Sequence, residues 1–169
     1  MEAEFVEVVI NDILIRVDKN NSMNVYSWRD WVKTKPRYWY KIKIILQTNY
    51  NGYKLYQLHI DNKKYILSRV VYKAHNNDWD ITDNSMNNHI DHINVNSLDN
   101  RIENLRVLTN QQNQWNNKGK GYCWNKADKN WQAQITINNK TIYLGKFTEE
   151  ADARQAYLNA KEIHHKVPA

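Results

Sequence analysis

The chain has 169 residues, 41% apolar and 12% aromatic, enough for one ordinary domain or two small ones and too much for wholesale disorder. Its single cysteine, Cys123, excludes an internal disulfide and a cysteine-built zinc site, and no apolar run approaches the roughly 20 residues that span a bilayer. The net charge of +6 is frequent in proteins that meet nucleic acid, although membranes and acidic partners attract such a chain too. Its distribution says more: residues 1–80 carry 13 basic and 9 acidic side chains (+4), residues 81–117 two and four (−2), and residues 118–169 nine and five (+4). An acidic middle between basic flanks suits a metal site set into a polyanion-binding surface. The acidic start, Met1 to Phe5, lacks the apolar run of a secretory leader, so a soluble, intracellular protein is expected.

In chain order, residues 4–17 alternate or run apolar and read as short strands with Asn11-Asp12 as a turn. Residues 25–46 mix aromatics with lysines, and a strand is expected from about Tyr38 to Leu46. Trp28, Trp31 and Trp39 suit a core, whereas Lys33, Lys35, Arg37, Lys41 and Lys43 suit phosphates. Asn51-Gly52 marks a tight turn, and Lys54–Ile60 and Lys64–Leu67 read as strands joined at Asp61-Asn62. A helix is expected over Arg69–His75, a loop over Asn76–Asn88, a short helix near Asn100–Asn104 and a strand over Leu105–Leu108. Thr109 suits the N-cap of a helix reaching Trp115. Asn116–Gly121 reads as a linker, which sets domains at 1–117 and 118–169. Beyond it, Tyr122–Asn125, Trp131–Ile137 and Lys140–Leu144 read as strands, with a hairpin turn at Asn138-Asn139. Thr148 is expected to cap a last helix with Glu149 and Glu150 in its first turn, and Ala151, Ala153, Ala156, Tyr157 and Ala160 as its packing face.

The most informative stretch is Asp91–Asn113, in which Asn104 follows His92 by 12 residues and Asn113 follows Asn104 by nine. Hydrolysing a phosphodiester needs a deprotonated water and relief of the charge gathering on the leaving oxygen. A neutral histidine can take the proton at cell pH. A hard divalent cation held by oxygen ligands, such as a carboxylate and an amide oxygen, can do the rest. The run Asp91-His92, then Asn100-x-x-x-Asn104-Leu105-Arg106, then Thr109 and Asn113, resembles the H-N-H nucleases, particularly the phage and intron-encoded homing endonucleases. The resemblance implies a ββα unit gripping one Mg²⁺ or Mn²⁺, with a core at about 87–117. It makes His92 the general base, Asp91 and Asn113 the metal ligands, and Asn104 the residue that fixes the loop so that His92 points correctly. Arg106 suits either a phosphate contact or an ordinary surface charge. His89 lies outside the family spacing and reads as an accessory strand residue. Many relatives carry a His-Arg pair upstream, where this chain has Ser68-Arg69.

Residues 121–165 resemble the plant Apetala/ethylene-response type of DNA-binding domain, on Trp131-Gln132-Ala133-Gln134-Ile135, Ile142-Tyr143-Leu144-Gly145-Lys146-Phe147, Glu149-Glu150-Ala151 and Ala156-Tyr157. Alternation turns Trp131, Ala133, Ile135 and Ile137 toward the helix and Gln132, Gln134 and Thr136 outward. The resemblance sends that outer face into the major groove, where a glutamine pairs with adenine, with Asn125, Lys126, Lys129 and Tyr143 adding contacts.

Together these readings give an α+β fold: a ββα-metal (H-N-H, His-Me finger) nuclease domain with N-terminal antiparallel strands, then a small three-stranded antiparallel sheet with one helix. The expected function is a site-specific, divalent-metal-dependent DNA endonuclease of homing type acting on double-stranded DNA as a monomer or homodimer. It would work with one ion per active site and without a membrane. The cytoplasm of the host of a phage, virus or mobile element is its expected place, or the nucleus of a eukaryotic host. The alternatives are a DNA-binding regulator with an inactive nuclease unit and a restriction or defence nuclease.

Overall fold

A computed structural model describes residues 3–29, 37–85, 87–116, 119–138 and 140–166. The chain is a mixed α/β protein of small antiparallel sheets and few helices, divided into two compact units, Met1–Leu108 and Thr109–Ala169. The division falls ahead of the Asn116–Gly121 linker. No helix among the described residues is long and apolar enough to cross a membrane.

In the first unit β1 (Phe5–Ile10), β2 (Ile13–Asp18), β3 (Val25–Arg29) and β4 (Tyr38–Lys41) form one sheet in that order. Asn11 and Asp12 both have positive φ (50° and 61°), which matches the twist of a two-residue hairpin. A second sheet joins β5 (Ile45–Thr48), β6 (Lys54–Ile60) and β7 (Lys63–Ile66), with Asp61 and Asn62 turning at φ 49° and 58°. The strand expected over 38–46 is therefore two strands in different sheets. Ile42 ends the first by donating its N–H to Val25 O and burying its side chain, so the chain leaves one ladder before entering the next.

Helix α1 (Leu67–His75) buries Leu67, Val70, Val71 and Ala74, the i, i+3, i+4, i+7 stripe of an amphipathic helix. That stripe packs on β1, β2, β6 and β7 around a core of Val8, Ile15, Val17, Leu58 and Ile60. It also meets β8 (His89–His92) and β9 (Leu105–Leu108), a two-stranded ribbon, so the ribbon is seated on the main core.

In the second unit α2 (Asn110–Trp115) precedes a sheet of β10 (Tyr122–Asn125), β11 (Asn130–Ile137) and β12 (Lys140–Phe147), followed by α3 (Glu150–His164). Thr109 caps α2 through a reciprocal capping box with Gln112, as its sequence position suggests. Trp115 stacks on His165, with centroids 4.7 Å apart and planes 6° from parallel. Thr148 does not cap α3. Strand β12 runs on to Phe147, and Glu149 is the extended residue before the helix, so Glu150 and Asp152 occupy the first turn. Ala153 and Ala160 are buried on α3 and Ala151 is exposed, because only the first two follow the stripe facing the sheet.

Candidate active site

Strand pairing sets the first contact. Asp91 and Arg106 lie opposite each other across the β8–β9 ribbon, and Arg106 Nε donates to Asp91 Oδ2 at 3.0 Å. Both side chains are largely buried, 7% and 15% exposed, so Arg106 offsets the charge of a carboxylate that solvent barely reaches. Its sequence position left Arg106 open as a phosphate contact or a surface charge; the structure gives it this partner. His89 sits half-buried opposite Leu108 on the same ribbon.

His92 ends β8, where the chain enters a loop of residues 93–104. The loop is a network of amides. Asn104, 6% exposed, accepts the Asn94 N–H at 3.0 Å and donates through Nδ2 to Asn94 Oδ1 (3.1 Å) and Asp99 O (2.7 Å). Its backbone carbonyl takes the N–H of Ile93, the residue after His92, at 2.9 Å. Val95, at φ 62°, returns its N–H to His92 O at 2.8 Å. Asn104 thus ties both ends of the loop that presents His92.

Asn100 fixes the imidazole itself. Buried at 3% exposure, it donates Nδ2 to Leu98 O at 3.3 Å, which turns its Oδ1 toward His92 Nε2 at 3.2 Å. An amide oxygen only accepts, so Nε2 carries the proton and the basic lone pair lies on Nδ1. Asp99 supports the same turn. Arg101 clamps its two oxygens at 2.8 Å each, and with the Asn94 amide holds the carboxyl down at about 2.

Upstream, Arg69 of α1 organises the approach to β8. Its guanidinium donates to Ile81 O (2.7 Å), Asp83 O (2.9 Å) and Asn88 O (3.1 Å) and lies 4.7 Å from the centre of the Trp79 ring. Asn88 completes the bundle: Nδ2 donates to Asp80 O and Asp83 O, and its Oδ1 accepts from Trp79 Nε1. Ser68 is buried in α1.

The remaining candidates are placed as follows. Lys33 and Lys35 lie outside the described residues, and Arg37 is exposed. Asn113 is on α2, in the second unit. Gln134 pairs directly across from Tyr143, which is 54% exposed, and Thr136 meets the Thr141 hydroxyl. Gln132 faces the same way opposite Lys146 but is half-buried, and Ala133 and Ile135 on the other face are buried. Asn125 turns its Oδ1 onto the N–H groups of Ala127 and Asp128, and Lys126 and Lys129 are exposed in that turn. Asn94 and Asp99 are the residues that sequence reasoning missed, and Asn100 entered it only as part of the motif, without a role. The signal of the first two is a polar residue every two or three positions between the histidine and Asn104, which in an Asn-rich chain stands out little.

Whether these residues fit a divalent ion is a question of donor chemistry. A carboxylate offers about four lone-pair positions, of which the Arg106 bond uses one on Oδ2. A hard ion that binds through one or two protein oxygens and keeps several waters is compatible with Asp91 and one amide oxygen. Among the described residues no three His, Cys, Asp or Glu side chains gather into a cage.

Residues 65–115 match the family model described as HNH endonuclease, a stretch that begins in β7 and ends with α2. No curated protein and no solved structure matches the chain. The match supports a nuclease and, with it, DNA as the substrate; nucleases of this family generally use a divalent metal.

Proposed function

We propose that the protein is a site-specific, divalent-metal-dependent DNA endonuclease of homing type, with His92 as its general base. The observation that carries the reading is the coincidence of the HNH match with a loop built to hold one histidine. Asn100 accepts from Nε2 and so keeps the ring proton on that side, which leaves Nδ1 as the nitrogen that takes a proton from water. Asn104 is the positioning residue that keeps the loop, and thus the ring, in place. Asp91 and Asn113 would hold Mg²⁺ or Mn²⁺, one ion per site. When bound, the ion supplies charge neutralisation at the leaving 3′-oxygen. Arg106 pairs with the buried Asp91, and a phosphate nearby would meet the same cation.

The second unit supports site-specificity. Its outward face carries Gln132, Gln134, Thr136 and Tyr143, polar groups suited to base edges, with Asn125, Lys126 and Lys129 at one end for further DNA contact. Arg37, and with it Lys33 and Lys35, would add phosphate contacts in the first. These features support reading it as an Apetala/ethylene-response-type module that follows a nuclease of about residues 1–117.

The test is nicking of supercoiled plasmid carrying a selected site, with and without Mg²⁺, by the wild type and His92→Ala. The expected outcome is metal-dependent nicking that falls at least about 100-fold in the variant, as for loss of a general base. Equal cutting by the variant removes the assignment of His92. No metal-dependent cutting by the wild type leaves a DNA-binding regulator as the better reading.

A further inference from the structure

Helix α2 carries Asn113, yet six residues do not hold a helix by themselves, and none of the six is buried. Its anchors lie in its own compact unit, Thr109–Ala169. The first turn rests on the capping box of Thr109 and Gln112. At the other end Trp115, two residues beyond Asn113, lies flat on the imidazole of His165, with centroids 4.7 Å apart and planes 6° from parallel. His165 follows the last turn of α3, and its backbone N–H donates to Lys161 O at 2.8 Å, so the end of that helix sets the ring.

The imidazole also meets the sheet. Its Nε2 lies 3.3 Å from Thr136 O, on β11. A carbonyl only accepts, so Nε2 carries the proton, and Nδ1 is left as a buried acceptor with no hydrogen-bond partner. Burial, with Lys161 and His164 nearby, pushes the imidazole below its ordinary pKa, so the ring that stacks is the neutral one. His165 thus serves as a flat ring with one donor. Six residues after Trp115 the chain is fastened to the same strand again. Gly121 O accepts the Gln134 N–H at 2.9 Å, and a Cβ on Gly121 would lie 2.0 Å from the Tyr157 ring of α3. The stretch that reads as a linker is therefore anchored on β11 and α3 at both ends.

We propose that His165 is a positioning residue: by stacking on Trp115 it fixes α2, and Asn113 with it, to the sheet that carries Gln134 and Thr136. The second unit then places a metal ligand as well as the residues that meet DNA. The effect on metal rests on the reading of Asn113 as a ligand; the fastening of α2 does not.

The experiment uses the full chain with His165→Ala, His165→Phe and Asn113→Ala. Amide exchange over residues 110–116 reads the fastening. Loss of the electron-spin resonance signal of free Mn²⁺ reads metal binding without DNA, and anisotropy of a fluorescent duplex without metal reads DNA binding. His165→Ala is expected to speed exchange in α2 several-fold and to weaken Mn²⁺ binding several-fold, with duplex affinity unchanged. His165→Phe keeps a flat ring and is expected to regain most of both. Unchanged exchange over α2 in His165→Ala overturns the proposal. So does a loss of duplex affinity with α2 still protected, which would make His165 a support of the reading face alone. Faster exchange with unchanged Mn²⁺ binding, where Asn113→Ala does weaken it, overturns the positioning of the ligand. If Asn113→Ala binds Mn²⁺ as the wild type does, the ligand reading fails, and exchange over α2 alone then upholds or overturns the fastening.

Discussion

Replacing Asn104 by alanine tests the loop that holds His92 most directly. The side chain makes three hydrogen bonds, at 3.0, 3.1 and 2.7 Å, while only 6% exposed. Each is worth about 1 kcal/mol net, and the loss leaves the Asn94 N–H and the Asp99 carbonyl to find water. The expected cost is about 2–4 kcal/mol, since both partners lie near the surface and recover part of their solvation. For a unit of this size that is a fall of roughly 10–20 °C in melting temperature. Calorimetry reads the stability, and amide exchange over residues 93–104 reads the place, because the loop should lose protection before the core strands do. Asn104→Asp keeps an acceptor for Asn94 N but turns a carboxylate oxygen onto two acceptors, Asn94 Oδ1 and Asp99 O, so near neutral pH it should cost at least as much as alanine. Duplex binding should persist in both variants while nicking drops. A folded Asn104→Ala with unchanged melting, unchanged exchange in the loop and unchanged nicking would refute the claim that this amide positions His92.

Three further perturbations follow. Asp99 titrates at about 2 in the folded chain against 3.8 ordinarily, so its contribution is fully present above about pH 4 and lost as pH falls toward 2; denaturant unfolding of wild type and Asp99→Asn should differ at pH 5 and converge near pH 2. Arg106→Met strips the main cation from a buried carboxylate and should cost about 3–5 kcal/mol in thermal unfolding, with Mg²⁺ restoring more stability to the variant than it adds to the wild type. Gly121 sits at φ 67°, and a Cβ there would lie 2.0 Å from the Tyr157 ring; Gly121→Ala should destabilise the second unit, with a smaller effect once Tyr157 is alanine, as a double-mutant cycle would show.

Much of this arrangement is legible without coordinates. The hairpin turns at Asn11-Asp12 and Asp61-Asn62, a helix ending at His75, the Thr109 cap and the alternation of β11 all follow from local rules, and the structure has each of them, although the helix opens at Leu67, two residues before its expected start and where a strand is expected to end. Where reading failed, tertiary choice decided. Tyr38 to Leu46 alternates like one strand because alternation is the same in two ladders, and only the partners of Tyr40 and Leu46, Ser27 and Tyr56, separate them. Thr148 is a good cap by type, but Glu149 after it is still extended (φ −102°, ψ 141°), so the helix opens at Glu150, one residue too late for Thr148 to cap it. The Asp91–Arg106 pair was equally hidden. Fifteen residues separate the two, and only the register of β8 on β9 sets them opposite.

The abundance of asparagine shows how a compositional fact can conceal a structural one. An AT-rich genome is enough to explain an excess of Asn, and by composition alone nothing more is needed. Position by position the residue is put to work that few others can do. Asn11, Asn62 and Asn138 take the left-handed conformation that turns demand and that side chains larger at Cβ resist. Asn21, Asn49 and Asn125 fold their own oxygens onto N–H groups two residues ahead. In the loop after His92 the same chemistry becomes specific: Asn94, Asn100 and Asn104 each donate and accept at once, which a carboxylate cannot do and a hydroxyl cannot do with the same reach. A loop so polar could not be held by an apolar core, since its backbone groups would be left unpaired. It is held by amides, and the ring they orient is the one on which the proposed chemistry depends.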